Sequence, residues 1–315
     1  MQLTTNTRAF IESEQYSDFV LLNLHDGLLP ESMYRNVSDF TSGTTLHIKT
    51  IGTVTLQEAA EDTPLIYNPI ETGEITMTIN EYVGDAWYVT DDLREDGTDI
   101  DRLLAERAAE GTRAVQEKFE SDFLKKAALA YTGTAGPYNI NSFPHKVVSA
   151  ETNAVFSLNH LIAMRIAFDK ANVPAEGRIA IVDPIVEGTI NKLVTITHDV
   201  TPFGEKILEG GFARGQRFIM NLYGWSIITS NRLYTQAAAS SDGTTSITNG
   251  VYNLFMCIAD DQTKPIMGAW RRMPKSEGER NKDRARDEHV MRARYDFGVQ
   301  RMDTLGVVIT SSTNY

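Results

Sequence analysis

Apolar residues alternate with polar ones in the stretch between residues 43 and 90. The alternating apolar positions are Leu46, Ile48, Val54, Leu56, Ile75, Met77 and Ile79. A period of two residues predicts β-strands with one buried and one exposed face. Residues 57–73, QEAAEDTPLIYNPIETG, separate these strands and form an acidic, proline-containing connection that is long for a hairpin. Because connections of this length are usually functional or disordered, we expect an extended loop here.

The pattern changes to a helical period after residue 97. No proline occurs from Thr98 to Tyr131, and Thr98 stands three residues before Asp101 in the spacing of a capping box. The apolar stripe at helical spacing consists of Ile100, Leu104, Ala108, Gly111, Val115, Phe119 and Phe123. At about 1.5 Å per residue this helix would be roughly 50 Å long. Part of it must therefore run along the outside of its own domain.

Gly111 lies in the middle of this predicted helix. Because glycine costs about 1 kcal/mol relative to alanine inside a helix, it indicates a bend or a place of close packing. The alternative is a pair of helices broken at Gly111. Further along, Asp122 and Lys126 stand four residues apart, a spacing that predicts a favourable ion pair.

Residues 157–192 predict a helix, a strand and a second helix. Ser157 can cap the first turn. One face of that helix carries Leu158, Leu161, Ile162 and Ile166. The apolar run at 179–182 is typical of a strand covered on both faces, and Asp183 and Pro184 then occupy the cap and first position of the next helix. Such a junction can bind an anion, but nearby glycines are lacking and Asp183 would repel one, so we interpret the region as scaffold.

The C-terminal third contains apolar runs and one densely charged segment. The runs RFIMNLYGWSIITS and VYNLFMCIAD predict strands. Residues 271–289, RRMPKSEGERNKDRARDEH, mix both signs of charge, which predicts a solvated loop or face. The closing stretch predicts a short strand, a break at Phe297 and Gly298, and a final apolar strand at 306–309.

Composition narrows the possible functions. The chain has 315 residues, of which 42% are hydrophobic, enough for a sizeable core, and its formal charge of -12 disfavours general affinity for nucleic acid. Its single cysteine, Cys257, excludes an internal disulfide and stands in an apolar run, so we expect a buried hydrophobe. The N-terminus lacks the pattern of a signal peptide and no run is long enough to span a bilayer, so we expect folding in a cytoplasm.

Reactive residue types are present but not grouped. The six histidines are scattered, without an H-E-x-x-H motif, at His25, His47, His145, His160, His198 and His289. GGFARGQ lacks the ending of a phosphate loop, and no G-x-S-x-G occurs. Acidic residues gather at or before the start of the long helix, where they interact favourably with its dipole, namely Asp91, Asp92, Glu95, Asp96, Asp99 and Asp101. A paired-carboxylate hydrolase stays open as an alternative.

The order of these elements resembles the HK97-type major capsid protein of tailed bacteriophages, nearest to the coat proteins of short-tailed phages. The resemblance covers nearly the whole chain. The stretches that carry it are GTTLHIKTIG and GEITMTINEYVGDAWYVTDDL around the extended loop, the helix TDIDRLLAERAAEGTRAVQEKFESDFLKKAA, the central NVPAEGRIAIVDP and the closing RARYDFGVQRMDTLGVVIT. Each stretch is weak alone, and their order and spacing make the match specific.

The resemblance implies an α+β, HK97-type capsid fold with an N-terminal arm, an extended β-hairpin loop, a long spine helix, a peripheral P-domain and a central A-domain. The implied divisions are the arm (1–42), the extended loop with P-domain strands (43–90), the P-domain spine helix (91–131), the mixed α/β A-domain (132–265), and the P-domain return strands with the charged loop (266–315).

By the same resemblance, the protein would assemble itself as hexamers and pentamers into an icosahedral shell around double-stranded DNA. The implied partners are further copies of the chain, a scaffolding protein, a portal protein, in some family members a decoration protein, and packaged DNA held weakly at the inner face, with no membrane. The implied location is the virion capsid, after assembly in the cytoplasm of a host bacterium. The resemblance implies no enzyme and no catalytic, cofactor-binding or metal-binding residue.

Two departures from the family pattern affect these expectations. The chain begins almost directly with the arm, which implies a separate scaffolding protein unless the sequence is already mature. Lys49 precedes the loop and no lysine occurs at 57–73, so we predict no lysine-asparagine isopeptide cross-link between subunits. An encapsulin-like nanocompartment shell, which would enclose a cargo enzyme, and a soluble hydrolase are the alternatives.

Overall fold

The computed structural model describes residues 31–37, 45–51, 57–58, 69, 72–96, 100–131, 136, 138–197 and 218–314. Its α-helices are α1 (Asp91–Asp96), the spine helix α2 (Ile100–Ala128), α3 (Leu158–Lys170) and α4 (Pro184–Thr197). Short 3-10 helices lie at Glu31–Met33, Leu129–Tyr131 and Thr152–Ala154. The strands are β1 (Arg35–Asn36), β2 (Thr45–Ile51), β3 (Thr72–Thr78), β4 (Glu81–Thr90), β5 (Asn139–Ile140), β6 (Phe143–Pro144), β7 (Lys146–Val148), β8 (Arg178–Val182), β9 (Phe218–Leu222), β10 (Trp225–Thr229), β11 (Thr235–Gln236), β12 (Ser240–Ser241), β13 (Ser246–Ile247), β14 (Gly250–Cys257), β15 (Ile266–Asn281), β16 (Arg286–Val299) and β17 (Leu305–Ser311).

Several sequence predictions fall outside the described residues. These are most of the N-terminal arm, the strand positions Val54 and Leu56, the capping residue Thr98, and the GGFARGQ turn.

Four strands form a peripheral sheet in the order β1-β15-β16-β4. Strands β15 and β16 make a long antiparallel hairpin, β4 pairs with β16, and β1 pairs in parallel with the start of β15. One face of this sheet packs on the spine helix. There Phe119 stacks on Trp270 with ring centroids 4.4 Å apart and lies edge-on to Tyr295 at 4.8 Å. Aromatic pairs of this kind add to the stabilisation from buried area.

We had expected a solvated loop or face at 271–289. The segment instead forms most of the β15–β16 hairpin. Its charges are solvated, as predicted, because the side chains from Met273 to Arg280 are exposed. An ion pair joins the two strands near their turn, between Arg280 and Asp287 at 3.2 Å. A strand exposed on its faces needs no apolar alternation, so the usual strand signal is missing.

The predicted break at Phe297 and Gly298 is also wrong, since β16 continues through both residues. Phe297 is buried against Phe119, with centroids 4.7 Å apart. A side chain at Gly298 would place its Cβ 2.7 Å from Cε of Met267. Glycine at this position therefore allows close packing against the methionine side chains inside a strand and does not mark a turn.

The spine helix is a single helix of 29 residues, about 43 Å long at 1.5 Å per residue. It is unbroken at Gly111, so the two-helix alternative is excluded. A Cβ at Gly111 would lie 3.1 Å from Oδ2 of Asp85 and 3.2 Å from Cε of Met291. The glycine lets the peripheral sheet approach the helix closely, one of the two roles that its position predicted.

Burial along the spine helix increases towards its C-terminal end. Of the predicted stripe, Ala108 is exposed, whereas Val115 and Phe123 are only 6% and 4% exposed. The predicted pair between Asp122 and Lys126 is wrong: Asp122 pairs with Lys118 in the preceding turn. Its other oxygen accepts a hydrogen bond from the hydroxyl of Tyr295 at 2.8 Å, so Asp122 faces the peripheral sheet.

Strands β2 and β3 form a separate two-stranded hairpin, as the alternating pattern predicted. Met77 and Ile79 at its base are buried against Met267 and Ala269 of β15. These β15 residues lie on the face of the peripheral sheet opposite the spine helix, since side chains alternate along a strand. The hairpin therefore covers one part of that face and extends from it.

The central sheet has the order β7-β17-β14-β8-β10-β9, with β11 paired to β14. Strands β8 and β10 are parallel, and β14 is antiparallel to both β8 and β17. All five residues of β8 are buried, which confirms a strand covered on both faces. On one side, Trp225 donates its indole N–H to the carbonyl of Leu161 in α3 at 3.1 Å.

The final strand differs from the expected division of the chain. We had placed all of 266–315 with the P-domain strands, but β17 pairs with β14 and β7 in the central sheet. All seven of its residues are buried. Its apolar sequence on both faces fits a position inside a covered sheet and not an exposed peripheral one.

A buried ionic contact joins the spine helix to the central sheet. Glu120, only 6% exposed, lies 3.4 Å from Nη1 of Arg232, which follows β10. Ser230 donates its hydroxyl to the same carboxylate at 3.3 Å, and Arg232 also reaches Glu117 at 3.0 Å. The helix is thus linked to both sheets.

Candidate functional site

The acidic residues predicted around the start of the spine helix are divided between two helices in the described part of the chain. Asp91, Asp92, Glu95 and Asp96 belong to the separate helix α1, Asp101 belongs to the spine helix, and Asp99 lies outside the described residues. Asp91 is bound bidentately by Arg280, at 2.5 and 2.6 Å. This hydrogen bond holds the pKa of Asp91 below its usual value. Asp91 therefore stays an ionised acceptor near neutral pH and does not act as an acid.

An open cleft of about 290 Å³ lies beside these ion pairs, lined by Arg94, Gly278, Glu279, Arg280, Asp287 and His289. Asp287 is held by Arg94 at 2.7 Å as well as by Arg280. Of the two carboxylates that line the cleft, Asp287 is therefore already neutralised by arginines. The arrangement stabilises the junction of α1 with the β15–β16 hairpin.

Two of the histidines are buried and structural. His145 is fully buried, with its ring stacked on Phe168 at 5.7 Å. The backbone N–H of Ser157 donates to Nδ1 of His160 at 3.0 Å, which closes a capping box at the start of α3. Burial lowers the pKa of both imidazoles, so both are neutral near pH 7. The predicted capping role of Ser157 is confirmed.

The other histidines are apart from these and from each other. His47 contacts Glu74 across the β2–β3 hairpin, and His289 stacks on Trp87 at 4.2 Å. The remaining two, His25 and His198, lie outside the described residues. Among the residues that the structure describes, no group of three His, Cys, Asp or Glu side chains is placed to hold a metal ion.

Cys257 and the junction at Asp183 also have structural roles. Cys257 is fully buried, with Sγ 3.6 Å from the carbonyl of Glu176, as expected of a small hydrophobe. Oδ2 of Asp183 accepts the N–H of Ile185 at 3.0 Å and caps α4. Burial raises the pKa of this carboxyl. The local contacts at this strand-to-helix junction are those of a capped scaffold element.

Exposed surface on the peripheral side offers a different kind of site. Four large apolar side chains are unusually exposed there: Tyr82 (56%), Tyr88 (58%), Leu93 (48%) and Met273 (68%). They lie on β4, α1 and β15. Large exposed apolar side chains on a subunit are candidates for contact with other molecules. In the described part of the chain, no helix is long and apolar enough to cross a membrane.

Comparison with protein families identifies the chain. The model of a family described as phage capsid protein matches residues 72–310, which include the spine helix, nearly all of the central sheet and three of the four strands of the peripheral sheet. The chain belongs to the phage capsid protein family. It is a structural protein of the virion capsid, and copies of such proteins associate into a shell. No curated protein sequence matches it significantly.

Solved capsid structures show the same fold. The capsid of cyanophage P-SCSP1u is 18% identical, with 98% of this chain and 94% of that chain covered and a TM-score of 0.72. The mature capsid of bacteriophage PhiM1 is 15% identical, with 97% and 93% covered and a TM-score of 0.72. The holo-SrpI encapsulin complex of Synechococcus elongatus is 10% identical, with 100% and 98% covered and a TM-score of 0.60. The expected HK97-type capsid fold is confirmed.

The sequence did not predict the exposed β15–β16 hairpin of this capsid protein. One signal could have found it. The polar residues from Asn281 to Arg284 can form a turn, and beside them Arg280 faces Asp287 when the strands are paired. A cross-strand pair of opposite charge stabilises antiparallel strands. The signal is weak, because the next charged pair, Glu279 and Glu288, is of like sign.

Proposed function

We propose that this capsid protein is the major capsid protein of a tailed phage, assembling as hexamers and pentamers into an icosahedral shell around double-stranded DNA. The observation that carries the proposal is the match of the phage capsid family model to residues 72–310. The long spine helix and the extending β2–β3 hairpin support it. Part of the surface of each element stays exposed in the single subunit.

We propose that each of the two main sheets belongs to a different domain of the subunit. The peripheral sheet with the spine helix would be the P-domain, and the central sheet with α3 and α4 would be the A-domain around which rings form. Residues 305–311 belong with the A-domain in this assignment, because β17 pairs there. Residues 1–42 would be the arm and 43–78 the extended loop with its strands.

The β2–β3 hairpin supports an intersubunit role on physical grounds. A two-stranded hairpin is marginal in water when isolated, and its strand edges can pair with other chains. Leu46, Ile48 and Ile75 on the hairpin are only partly buried in the subunit. Contact with a neighbour would bury the remaining apolar surface. Repeated head-to-tail contacts of this kind close into rings.

The proposed partners are other copies of the chain, a scaffolding protein, a portal protein and, where present, a decoration protein. Packaged DNA would lie at the inner face with weak affinity, because a formal charge of -12 repels phosphate. Assembly would take place in the cytoplasm of the host bacterium. We propose no catalytic, cofactor-binding or metal-binding residue and no enzymatic activity.

Deletion of residues 61–71 tests the role of the loop. We expect the shortened subunit to fold and to form no shells, because the arm between subunits is lost. Negative-stain electron microscopy would be performed with and without a coexpressed scaffolding candidate, alongside the full chain. Circular dichroism and the denaturation midpoint should match the full chain. Normal shells from the shortened subunit would show that the loop does not join subunits.

The encapsulin-like alternative rests on the structural match to the SrpI encapsulin complex. The contents of particles isolated from the natural source distinguish a phage capsid from an encapsulin-like shell. We expect nuclease-resistant double-stranded DNA inside them. Particles of uniform small size that contain a protein cargo and no protected DNA would favour the nanocompartment instead. A small oligomer under all conditions would contradict both.

A further inference from the structure

Strand β4 forms one edge of the peripheral sheet. It is the last strand in the order β1-β15-β16-β4, and it runs for ten residues, from Glu81 to Thr90. Its only charged side chains are the two carboxylates of Glu81 and Asp85, and it contains no proline. A long edge strand with few charges and no proline is open to pairing with another strand.

Alternate backbone groups of β4 point away from the sheet. The N–H of Asp91 donates to the carbonyl of Ala285 at 3.1 Å, directly after the last paired residues of β4 and β16. Because hydrogen-bonded pairs alternate along an antiparallel ladder, the odd-numbered residues of β4 bond to β16. The even-numbered residues direct their N–H and C=O groups outwards. Within the described residues, the outward groups from 82 to 88 have no backbone partner.

The helices next to β4 leave this edge uncovered in the described part of the subunit. The spine helix packs on the face of the sheet that carries Val83, with Val115 in contact with Met291 of β16. Helix α1 is held to the β15–β16 hairpin by the ion pair of Arg94 with Asp287, at 2.7 Å. Both helices are therefore fixed towards β16 and away from the outer edge of β4.

The even-numbered side chains of β4 form an uncharged, exposed row. Because side chains alternate along a strand, these residues lie on the face opposite the spine helix. Tyr82 and Tyr88 are 56% and 58% exposed, and Gly84 and Ala86 between them are exposed as well. The strand thus presents a row of unpaired backbone groups beside a row of uncharged side chains.

Two copies of β4 match each other when they are paired in antiparallel order. The outward backbone groups require even-numbered residues to face even-numbered residues, and the two registers that overlap the strand most fully are centred on Asp85 or on Ala86. Centring on Asp85 would set two carboxylates directly opposite each other, which is unfavourable, and would leave each Gly84 opposite an alanine. Centring on Ala86 sets each Gly84 opposite Tyr88 of the other copy. An aromatic ring covers the backbone that a glycine in an edge strand leaves exposed.

We propose that β4 of one subunit pairs with β4 of a second copy, in antiparallel order and centred on Ala86, so that two peripheral sheets join into one. This inference rests on the proposed function and adds a contact between rings. A contact about a twofold axis uses the same surface on both partners and joins subunits in pairs, whereas head-to-tail contacts close into rings. In the shell, each β4 pair therefore links subunits of two neighbouring rings.

Proline at position 86 tests this contact. The N–H of Ala86 points away from β16, so Ala86→Pro removes no hydrogen bond within the subunit, and proline is tolerated where an edge strand faces solvent. Its ring occupies the place of the partner strand. We expect the folded variant to form rings but no closed shells at concentrations at which the natural chain forms shells. The matched control Ala86→Ser keeps the N–H and should form shells.

Negative-stain electron microscopy of both variants and the natural chain, each with a coexpressed scaffolding candidate, measures the outcome. Equal denaturation midpoints of the unassembled subunits would show that the proline variant is folded. Closed shells of normal size from Ala86→Pro would overturn the proposal. If the natural chain itself forms no shell, the proposed function fails rather than this contact.

A single cysteine gives a test that does not depend on the proline variant. In the proposed register, residue 86 faces residue 86 of the partner with Cα atoms about 5.5 Å apart, which a disulfide can bridge. After mild oxidation, shells of Ala86→Cys should give dimers and no larger species on non-reducing gels, because each subunit has one partner at this axis. The natural Cys257 is buried.

The matched control is Tyr82→Cys, on the same exposed face. In the proposed register, residue 82 lies opposite residue 90 of the partner, so shells of this variant should give monomers. Monomers alone from oxidised Ala86→Cys shells would overturn the proposal. Dimers in equal yield from Tyr82→Cys would also overturn it, because they would show that the two strands meet without this register.

Discussion

Single buried residues give this protein a sensitivity to acid. His145 is fully buried, and its Nε2 has no hydrogen-bond partner among the described residues. Burial lowers its pKa, and the carbonyls of Phe143 and Asp303 offset this only in part. The folded pKa therefore lies below the unfolded value of about 6.5. Between these two pH values the unfolded chain binds more protons than the folded one, so stability falls as pH falls.

We predict that the free energy of unfolding is constant from about pH 8 to 7 and decreases as the pH falls below about 6.5. The variant His145→Phe keeps an aromatic ring beside Phe168 and removes the titrating group, so its stability should depend less on pH in this range. Urea denaturation of the unassembled subunit at several pH values measures the effect. The exposed His47→Asn serves as control, and an unchanged pH profile in His145→Phe would contradict the prediction.

At the scale of elements, the ionic contact between Glu120 and Arg232 holds the spine helix to the central sheet. Both side chains are largely buried, at 6% and 11% exposure. A buried pair is not necessarily more stabilising than a well-packed apolar pair, but loss of one partner leaves an uncompensated charge. The contact therefore matters most for keeping the two sheets in one arrangement.

We predict that Arg232→Met lowers the free energy of unfolding by about 3 kcal/mol or more, because Glu120 is left buried without its main counter-charge. The double variant Glu120→Gln with Arg232→Met should recover a large part of this loss. Removal of Arg113, whose pair with Glu117 is more exposed, is the control and should cost less than about 1 kcal/mol. Additive losses in the double variant would show that the two groups are not coupled.

The elements that periodicity predicted well are those that bury one face or both. The spine helix, β3, β8 and the capped start of α3 are present where the apolar pattern placed them. The β15–β16 hairpin was missed because its outer part is exposed and carries mostly charged and polar side chains, which leave no apolar period. The position of β17 was also beyond prediction, since a buried apolar strand does not specify which sheet it joins.

The candidate site was predictable only in part. The lack of catalytic motifs could be seen in the sequence, and the order of elements indicated the capsid fold. The grouping of Arg272 and Lys275 with Arg292 and Arg294 on one face of the peripheral sheet could not be seen, because it exists only after register shifts in β15. Strict alternation along the sequence would place Arg272 and Lys275 on opposite faces of the strand.

At the scale of the proposed shell, we predict that subunits are held together by contacts that can be reversed. The loop segment 57–73 contains no lysine, and the subunit has a single, buried cysteine. We predict that mature particles boiled in SDS without reducing agent give one band near the 35.1 kDa of the subunit. Particles partly reacted with a chemical cross-linker supply the control ladder. Bands at multiples of the subunit mass in untreated particles would show a covalent bond between subunits that we do not expect.

The uneven burial of the spine helix has a mechanical consequence. The helix is about 43 Å long. Its C-terminal half packs between the two sheets, whereas Arg102, Ala105 and the residues from Arg107 to Ala109 are exposed. A rod that is held along one half bends more in its other half under load. In a shell under internal pressure, the N-terminal half of the helix would therefore bend first, and the C-terminal half would keep its shape.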